Sequence, residues 1–114
     1  MSDCLFCKIV QGEIPSQIVF ENEQIVVFKD IQPAAPVHWL AIPKRHIDNI
    51  ADPKLLDGEL LTGLFQGIQD VVTNEGLKEN GFRVVVNYGR DAGEAVHHLH
   101  FHVLAGRSLA WPPG

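Results

Sequence analysis

Two hydrophobic periods divide the chain. Residues 4–11 (CLFCKIVQ) are an apolar-rich stretch entered from Ser2-Asp3, either of which suits a helix N-cap. Gly12 and Pro15 close it, and the pattern predicts a short helix. Residues 17–20 (QIVF) and 24–29 (QIVVFK) are β-branched and aromatic. With Glu21-Asn22-Glu23 between them they predict a β-hairpin. A loop from Asp30 to Pro36 leads to a third strand over 37–42 (VHWLAI), stopped by Pro43. Asp52-Pro53 has the residue types of an N-cap and a first helical position. Leu56, Leu60, Leu64, Ile68 and Val71 follow at spacings of three and four, flanked by Leu61, Phe65 and Val72, so a long amphipathic helix is expected up to Asn74–Gly76. After an Asn80-Gly81 turn, residues 82–87 (FRVVVN) predict a fourth strand. Tyr88–Glu94 reads as a Gly-containing loop, 96–104 (VHHLHFHVL) as a fifth strand, and 105–114 as an irregular tail.

This order predicts an α+β fold with a five-stranded antiparallel sheet, because short turns join sequence neighbours. One long helix covers one sheet face, so the other face, or an edge, is expected to be wet or buried on a partner. The chain has 114 residues, which suits a single domain over 1–114. Hydrophobic residues make up 46% and charged residues 20%, a globular composition. A net charge of −5 argues against nucleic-acid or anionic-membrane binding, which needs a basic face. No apolar run approaches the roughly 18 residues of a membrane span, and residues 1–10 lack a signal-peptide pattern. With two cysteines three apart there is no disulfide framework, and a cytoplasmic, reducing setting is expected.

The chemistry concentrates in the fifth strand. His98, His100 and His102 alternate with Leu99, Phe101 and Val103, which puts three imidazoles on one strand face and the apolar side chains on the core face. Solvent faces usually carry Thr, Lys, Glu or Ser, so the histidine face asks for a role. His98 and His102 lie about 13 Å apart at ~3.3 Å per residue, so the three do not share one ion. A neutral imidazole is also a nucleophile, and flanking imidazoles could donate to phosphate oxygens. The upstream loop from Asn87 to Ala95 contains Gly89 and Gly93 and lets backbone N–H groups approach an anion.

The stripe His-φ-His-φ-His-φ-φ resembles the histidine-triad (HIT) superfamily. The wider chain resembles its Hint branch, the purine nucleoside phosphoramidases. The matching pieces are Gly12-Glu13-Ile14-Pro15, Phe28-Lys29-Asp30-Ile31, Pro36 through Lys44, Asn87, Gly106-Arg107 and Trp111-Pro112-Pro113-Gly114. The resemblance implies hydrolysis of adenosine or guanosine 5′-monophosphoramidates. His100 would attack the α-phosphorus to form a nucleotidyl-histidine, with His102 on the phosphate, His98 supporting His100 through its backbone carbonyl, and His38 close by. It implies Asp30 on the ribose hydroxyls and Ile31, Phe28, Leu5 and Phe6 around the base. Asn87 and the Gly93 region would meet phosphate and ribose. It further implies a homodimer with a ten-stranded sheet, in which Trp111 reaches the partner's site.

Cys4-x-x-Cys7 is open to three readings from the residues alone: redox pair, inert small hydrophobes, or half of a metal site. The redox reading wants a preceding strand, for which residues 1–3 leave no room. Many bacterial HIT proteins with this motif bind Zn²⁺ through the cysteines, the histidine after Pro-Lys and the first triad histidine. The resemblance therefore implies a structural zinc on Cys4, Cys7, His46 and His98.

Ala95 stands where well-studied Hint enzymes have a serine that contacts the phosphate or leaving group, so slower turnover or an altered leaving-group preference is expected. A nucleotide-binding protein with weak catalysis is the alternative, as is dinucleoside polyphosphate hydrolysis of the Fhit type. His97 is expected to face away from the triad in a structural role.

Overall fold

The computed structural model describes residues 3–114. It contains a five-stranded, wholly antiparallel sheet with two α-helices. Their order is α1 (Leu5–Val10), β1 (Ile18–Glu21), β2 (Ile25–Lys29), β3 (Val37–Pro43), α2 (Gly58–Asn74), β4 (Arg83–Val86) and β5 (Phe101–Ala105). In space the strands run β1-β2-β3-β5-β4. The last strand inserts between β3 and β4, so the histidine strand is central and β1 and β4 are the edges.

Strand alternation sorts the side chains into two layers. Ile25, Val27, Trp39, Ala41, Phe101 and Val103 face α2 and pack on its Leu60, Leu64, Ile68, Val71 and Val72. Gly63 and Gly67, one turn apart, bring α2 tight against the β1–β2 turn, because a Cβ at Gly67 would collide with the Ile25 side chain and one at Gly63 with Gln24. On the opposite layer Val26, Phe28, Leu40 and Ile42 pack against Phe6 and Ile9 of α1. The second sheet face, expected to be wet or buried on a partner, is thus partly roofed by the short helix. The roof is incomplete, and the gap is the cleft described below.

Three local expectations are corrected. The cap of α1 is neither Ser2, which lies outside the described residues, nor Asp3, but Cys4, whose Sγ accepts the Cys7 N–H at 3.4 Å. The expected helix start at Asp52-Pro53 yields only a 3-10 turn, Pro53–Leu55. A second cap, Asp57, restarts the chain as α2 by accepting the N–H groups of Glu59 and Leu60 at 3.0 and 3.2 Å. Leu56, expected on the buried stripe, falls between the two and is 81% exposed, and Phe65 is half exposed. Finally, β5 starts at Phe101, not at residue 96. Residues 96–98 form a bend, and just after it the Leu99 N–H donates to the Ile47 carbonyl at 2.7 Å.

Candidate active site

Cross-strand register builds the site. Phe28 pairs with Leu40, and Leu40 with His102, so these three side chains stand in a row on the α1 face. His38 is two residues before Leu40 and therefore diagonal to His102. Such neighbours are within reach of ring side chains, and His38 Nε2 lies 2.8 Å from His102 Nδ1. The Asp30 carboxylate approaches the same His38 nitrogen at 3.4 Å, and the Ala34 N–H donates to His38 Nδ1 at 2.9 Å.

His100 is buried and its Nδ1–H donates to the His98 carbonyl at 2.7 Å. That bond fixes the tautomer and leaves the Nε2 lone pair available. Phe6 meets the His100 ring edge-on at 5.1 Å. Burial, followed by the neighbouring His100 and His38, lowers the pKa of His102 to about 4, with Asp30 acting in the opposite direction. His102 is therefore neutral at pH 7.

The cleft above these rings has a volume of about 900 Å³. Phe6, Phe28 and Leu40 form its apolar wall, Asp30 and Ile31 its rim, and His100 and His102 its reactive end. Leu5 and Ala95 also line it. Ile31 is 94% exposed and sits at the mouth. Asn87, Gly93 and Trp111 are not among the lining residues, and Trp111 projects 80% exposed from the tail. Sequence reasoning missed Ile9, Ile14 and Leu40 on the walls. Ile14 belonged to the Gly12–Pro15 motif and Leu40 to the Pro36–Lys44 piece, and both were legible in that sense; Ile9 looked like ordinary core. It also missed Glu94, whose buried carboxylate accepts the Gly89 N–H at 3.2 Å and ties the 87–95 loop together. His97 is exposed and lies 3.4 Å from that carboxylate.

A second cluster lies on the far side of Phe6. His98 is fully buried; its Nε2–H donates to the Pro43 carbonyl at 2.9 Å, and burial lowers its pKa to about 4 despite that bond. The His98 Nδ1 lone pair points at Cys4 Sγ (3.3 Å), Cys7 Sγ (3.5 Å) and His46 Nδ1 (3.1 Å). His46 Nδ1 is 3.2 Å from Cys7 Sγ, and its Nε2 is 2.8 Å from Asp48 Oδ1. Four donor atoms thus converge, with both imidazoles oriented from behind by an acceptor, as metal-ligating histidines are. A tetrahedral zinc with Zn–N near 2.0–2.1 Å and Zn–S near 2.3 Å spaces its ligand atoms about 3.3–3.8 Å apart, so this set could hold one with small adjustments. Asp30, His38 and His102 also converge. There the Ala34 N–H occupies the Nδ1 lone pair of His38, so its Nε2 carries the proton and is no metal ligand.

A buried imidazole with a fixed tautomer, a neutral second imidazole and an apolar cleft with one carboxylate define a histidine-based site for a small ligand on an antiparallel α+β sheet. Over residues 3–110 the chain matches the family described as "Scavenger mRNA decapping enzyme C-term binding". It is 46% identical over 112 residues to an uncharacterised HIT-like protein of Synechococcus elongatus, spanning 98% of this chain and 97% of that one. A HIT family hydrolase from Legionella pneumophila superposes with a TM-score of 0.92 at 48% identity, over 98% of this chain and 100% of that one. A histidine triad nucleotide-binding protein from Candida albicans does so at 0.82 and 34%, over 96% and 83% of the two chains. The chain belongs to the histidine-triad superfamily. No helix among the described residues is long and apolar enough to cross a membrane.

Proposed function

We propose that this protein is a cytoplasmic, homodimeric hydrolase of purine nucleoside 5′-monophosphoramidates. The observation that carries the reading is the His100 tautomer. With Nδ1–H bound to the His98 carbonyl at 2.7 Å, the nucleophilic Nε2 is the nitrogen left for the cleft. The names of the relatives support it, since one is called a hydrolase and another a nucleotide-binding protein.

In this reading the purine lies against Phe6 and Phe28, with Leu5 and Ile31 closing the mouth. Asp30 takes the ribose hydroxyls, and Asn87 and Gly93 approach the phosphate side. His100 Nε2 bonds to the α-phosphorus as the P–N bond breaks, and the departing amine nitrogen takes up a proton from solvent, which the hydrolytic water later returns. A water oxygen then replaces the imidazole, releasing the nucleoside monophosphate. His102 contacts a non-bridging phosphate oxygen throughout. The exposed apolar residues Phe82 and Val84 beside and on the β4 edge support sheet extension across a dimer, and the exposed Trp111 is free to reach a partner's cleft.

Cys4, Cys7, His46 and His98 would hold a zinc ion. Bound there, the ion supplies a cross-link between α1 and the bend before β5. His98 is then a structural group, and the reacting pair is His100 and His102.

An AMP-linked amine reporter tests the activity. The wild type releases the amine, and His100→Asn does not while retaining AMP binding. Full turnover by His100→Asn overturns the mechanism. Ala95 favours a second reading, a nucleotide-binding protein with weak catalysis, because the cleft lacks a hydroxyl at that position. AMP binding with background turnover in the wild type selects it.

A further inference from the structure

The loop Asp30–Pro36, between β2 and β3, is closed by its own bonds. The Asp30 N–H donates to the His38 carbonyl at 3.0 Å, and Asp30 Oδ1 accepts the Gln32 N–H at 2.8 Å. Pro33 and Pro36 restrict the backbone on either side of Ala34. The C-terminal tail crosses this loop at close range. Gly106, at φ 95°, passes so near Pro36 that a Cβ there would stand 2.7 Å from the proline Cβ. The approach lets the exposed Arg107 reach over. Its Nη2 donates to the Ala34 carbonyl at 2.8 Å, and its Nη1 to the Ser108 carbonyl at 3.0 Å. Ala34 is thus held through its carbonyl while its N–H donates to His38 Nδ1 at 2.9 Å.

A backbone N–H can only donate, so this bond dictates protonation down the line. His38 Nδ1 must bear a lone pair, and the neutral ring then carries its proton on Nε2. That proton lies between His102 Nδ1 at 2.8 Å and Asp30 Oδ2 at 3.4 Å. His102 Nδ1 is the acceptor, so the proton of its neutral ring sits on Nε2, at the edge left for the cleft.

We propose that Arg107 is a positioning residue which, by holding Ala34, sets the tautomers of His38 and His102 so that His102 presents Nε2–H to an anionic oxygen. His100 and His102 are thereby locked in opposite senses by two backbone groups: a carbonyl makes His100 a nucleophile, and an N–H makes His102 a donor. The catalytic meaning of the device rests on the phosphoramidase reading, but the tautomers do not.

The test is the ¹⁵N side-chain spectrum of the full chain at neutral pH without ligand, paired with steady-state kinetics on the AMP-linked amine. In the wild type His38 and His102 each show protonated Nε2 and unprotonated Nδ1. In Arg107→Ala the two rings become tautomer mixtures, and kcat falls about tenfold with little change in KM, a fraction of the 10²–10⁴ typical of a proton-donating group. Arg107→Lys, which keeps a donor, restores both. Ala34→Pro, which deletes the N–H, shifts the tautomers further. A wild-type His38 protonated on Nδ1 overturns the proposal even if every variant misfolds. So does an Arg107→Ala protein with wild-type tautomers and kcat. Expected tautomers in a wild type that does not turn over the reporter would instead sink the phosphoramidase reading alone.

Discussion

His100 Nδ1 bonds to the main-chain carbonyl of His98, not to its side chain. The two roles of His98, ring and backbone, are therefore separable by mutation. His98→Ala keeps the carbonyl and removes a fully buried ring. Unfolding free energy should fall by about 2–4 kcal/mol, the range for a large-to-small core change. Turnover by the folded fraction at low temperature should survive better than in His100→Asn. Urea midpoints and initial rates check this; a wild-type midpoint with abolished turnover would contradict it.

Chelation should act on stability first. If Cys4, Cys7, His46 and His98 hold zinc, removing it unclips α1 from the bend while leaving β5 and the His38–His102 pair in the sheet. A melting scan with and without a chelator should show a larger loss in Tm than in initial turnover. Metal analysis should give one zinc per chain in the wild type and far less in Cys7→Ser. Equal and immediate loss of both properties would argue against a structural ion.

Acid should destabilise the fold through His102. Its pKa is depressed from the ordinary 6.5 to about 4, so between these values the unfolded chain binds the proton that the folded chain refuses. The contribution is present in full above pH 6.5 and is lost as pH falls towards 4. Tm measured across this window should drop, and the drop should be shallower in His102→Asn. An unchanged slope in that variant would show that His102 is not the group responsible.

Restoring a hydroxyl at position 95 should raise turnover. Ala95 lines the cleft. A hydrogen bond to a charged group contributes about 1.5–3 kcal/mol, so Ala95→Ser should gain tenfold or more in kcat/KM with a phosphoramidate substrate. Kinetics with a good and a poor leaving amine would show whether the gain depends on the leaving group. No gain with either would show that the missing hydroxyl at position 95 does not limit turnover.

Gly67 holds α2 against the sheet. A methyl there would strike Ile25, a fully buried side chain. Overpacking of this kind costs about 1–3 kcal/mol, more than the helix propensity gained by Ala. Gly67→Ala should therefore lower the denaturation midpoint, whereas alanine at the exposed, open Gly58 should not.

The alternation of Leu99, Phe101 and Val103 with the histidines was legible because the strand face is local information. The departure at His98 was not. Its bend depends on acceptors at Pro43 and Ile47, some fifty residues away in the chain. Asp52-Pro53 reads locally as a helix start, and nothing in that dipeptide shows that the chain turns out at Leu56 and is recapped by Asp57, whose carboxylate takes the Glu59 and Leu60 N–H groups. From residue types alone the six imidazoles offer many groupings, and it was the resemblance that set Cys4, Cys7, His46 and His98 together and His38 beside the triad. Strand order decides among them, by putting β5 beside β3 and so His102 beside His38. The short helix was legible, but its place as a roof over the second sheet face was not, because that rests on Phe6 and Ile9 meeting Val26, Phe28, Leu40 and Ile42, contacts no local pattern carries.

That roof has a consequence for how ligand preference can change. A six-residue helix does not persist alone in water, since its nucleation cost exceeds what a few hydrogen bonds return. Its position comes from Phe6 and Ile9 below and from the cysteine–histidine cluster at its start. One wall of the cleft, Leu5 and Phe6, is therefore carried on a segment that cannot hold its own shape, and the histidine end on and just before β5, far later in the chain. Exchanging the half-exposed Leu5 alters what fits the cleft and leaves in place Phe6, Ile9 and the cysteine pair that seat the helix. The short helix and the histidines can in this sense vary separately, joined at one corner where Phe6 meets the His100 ring.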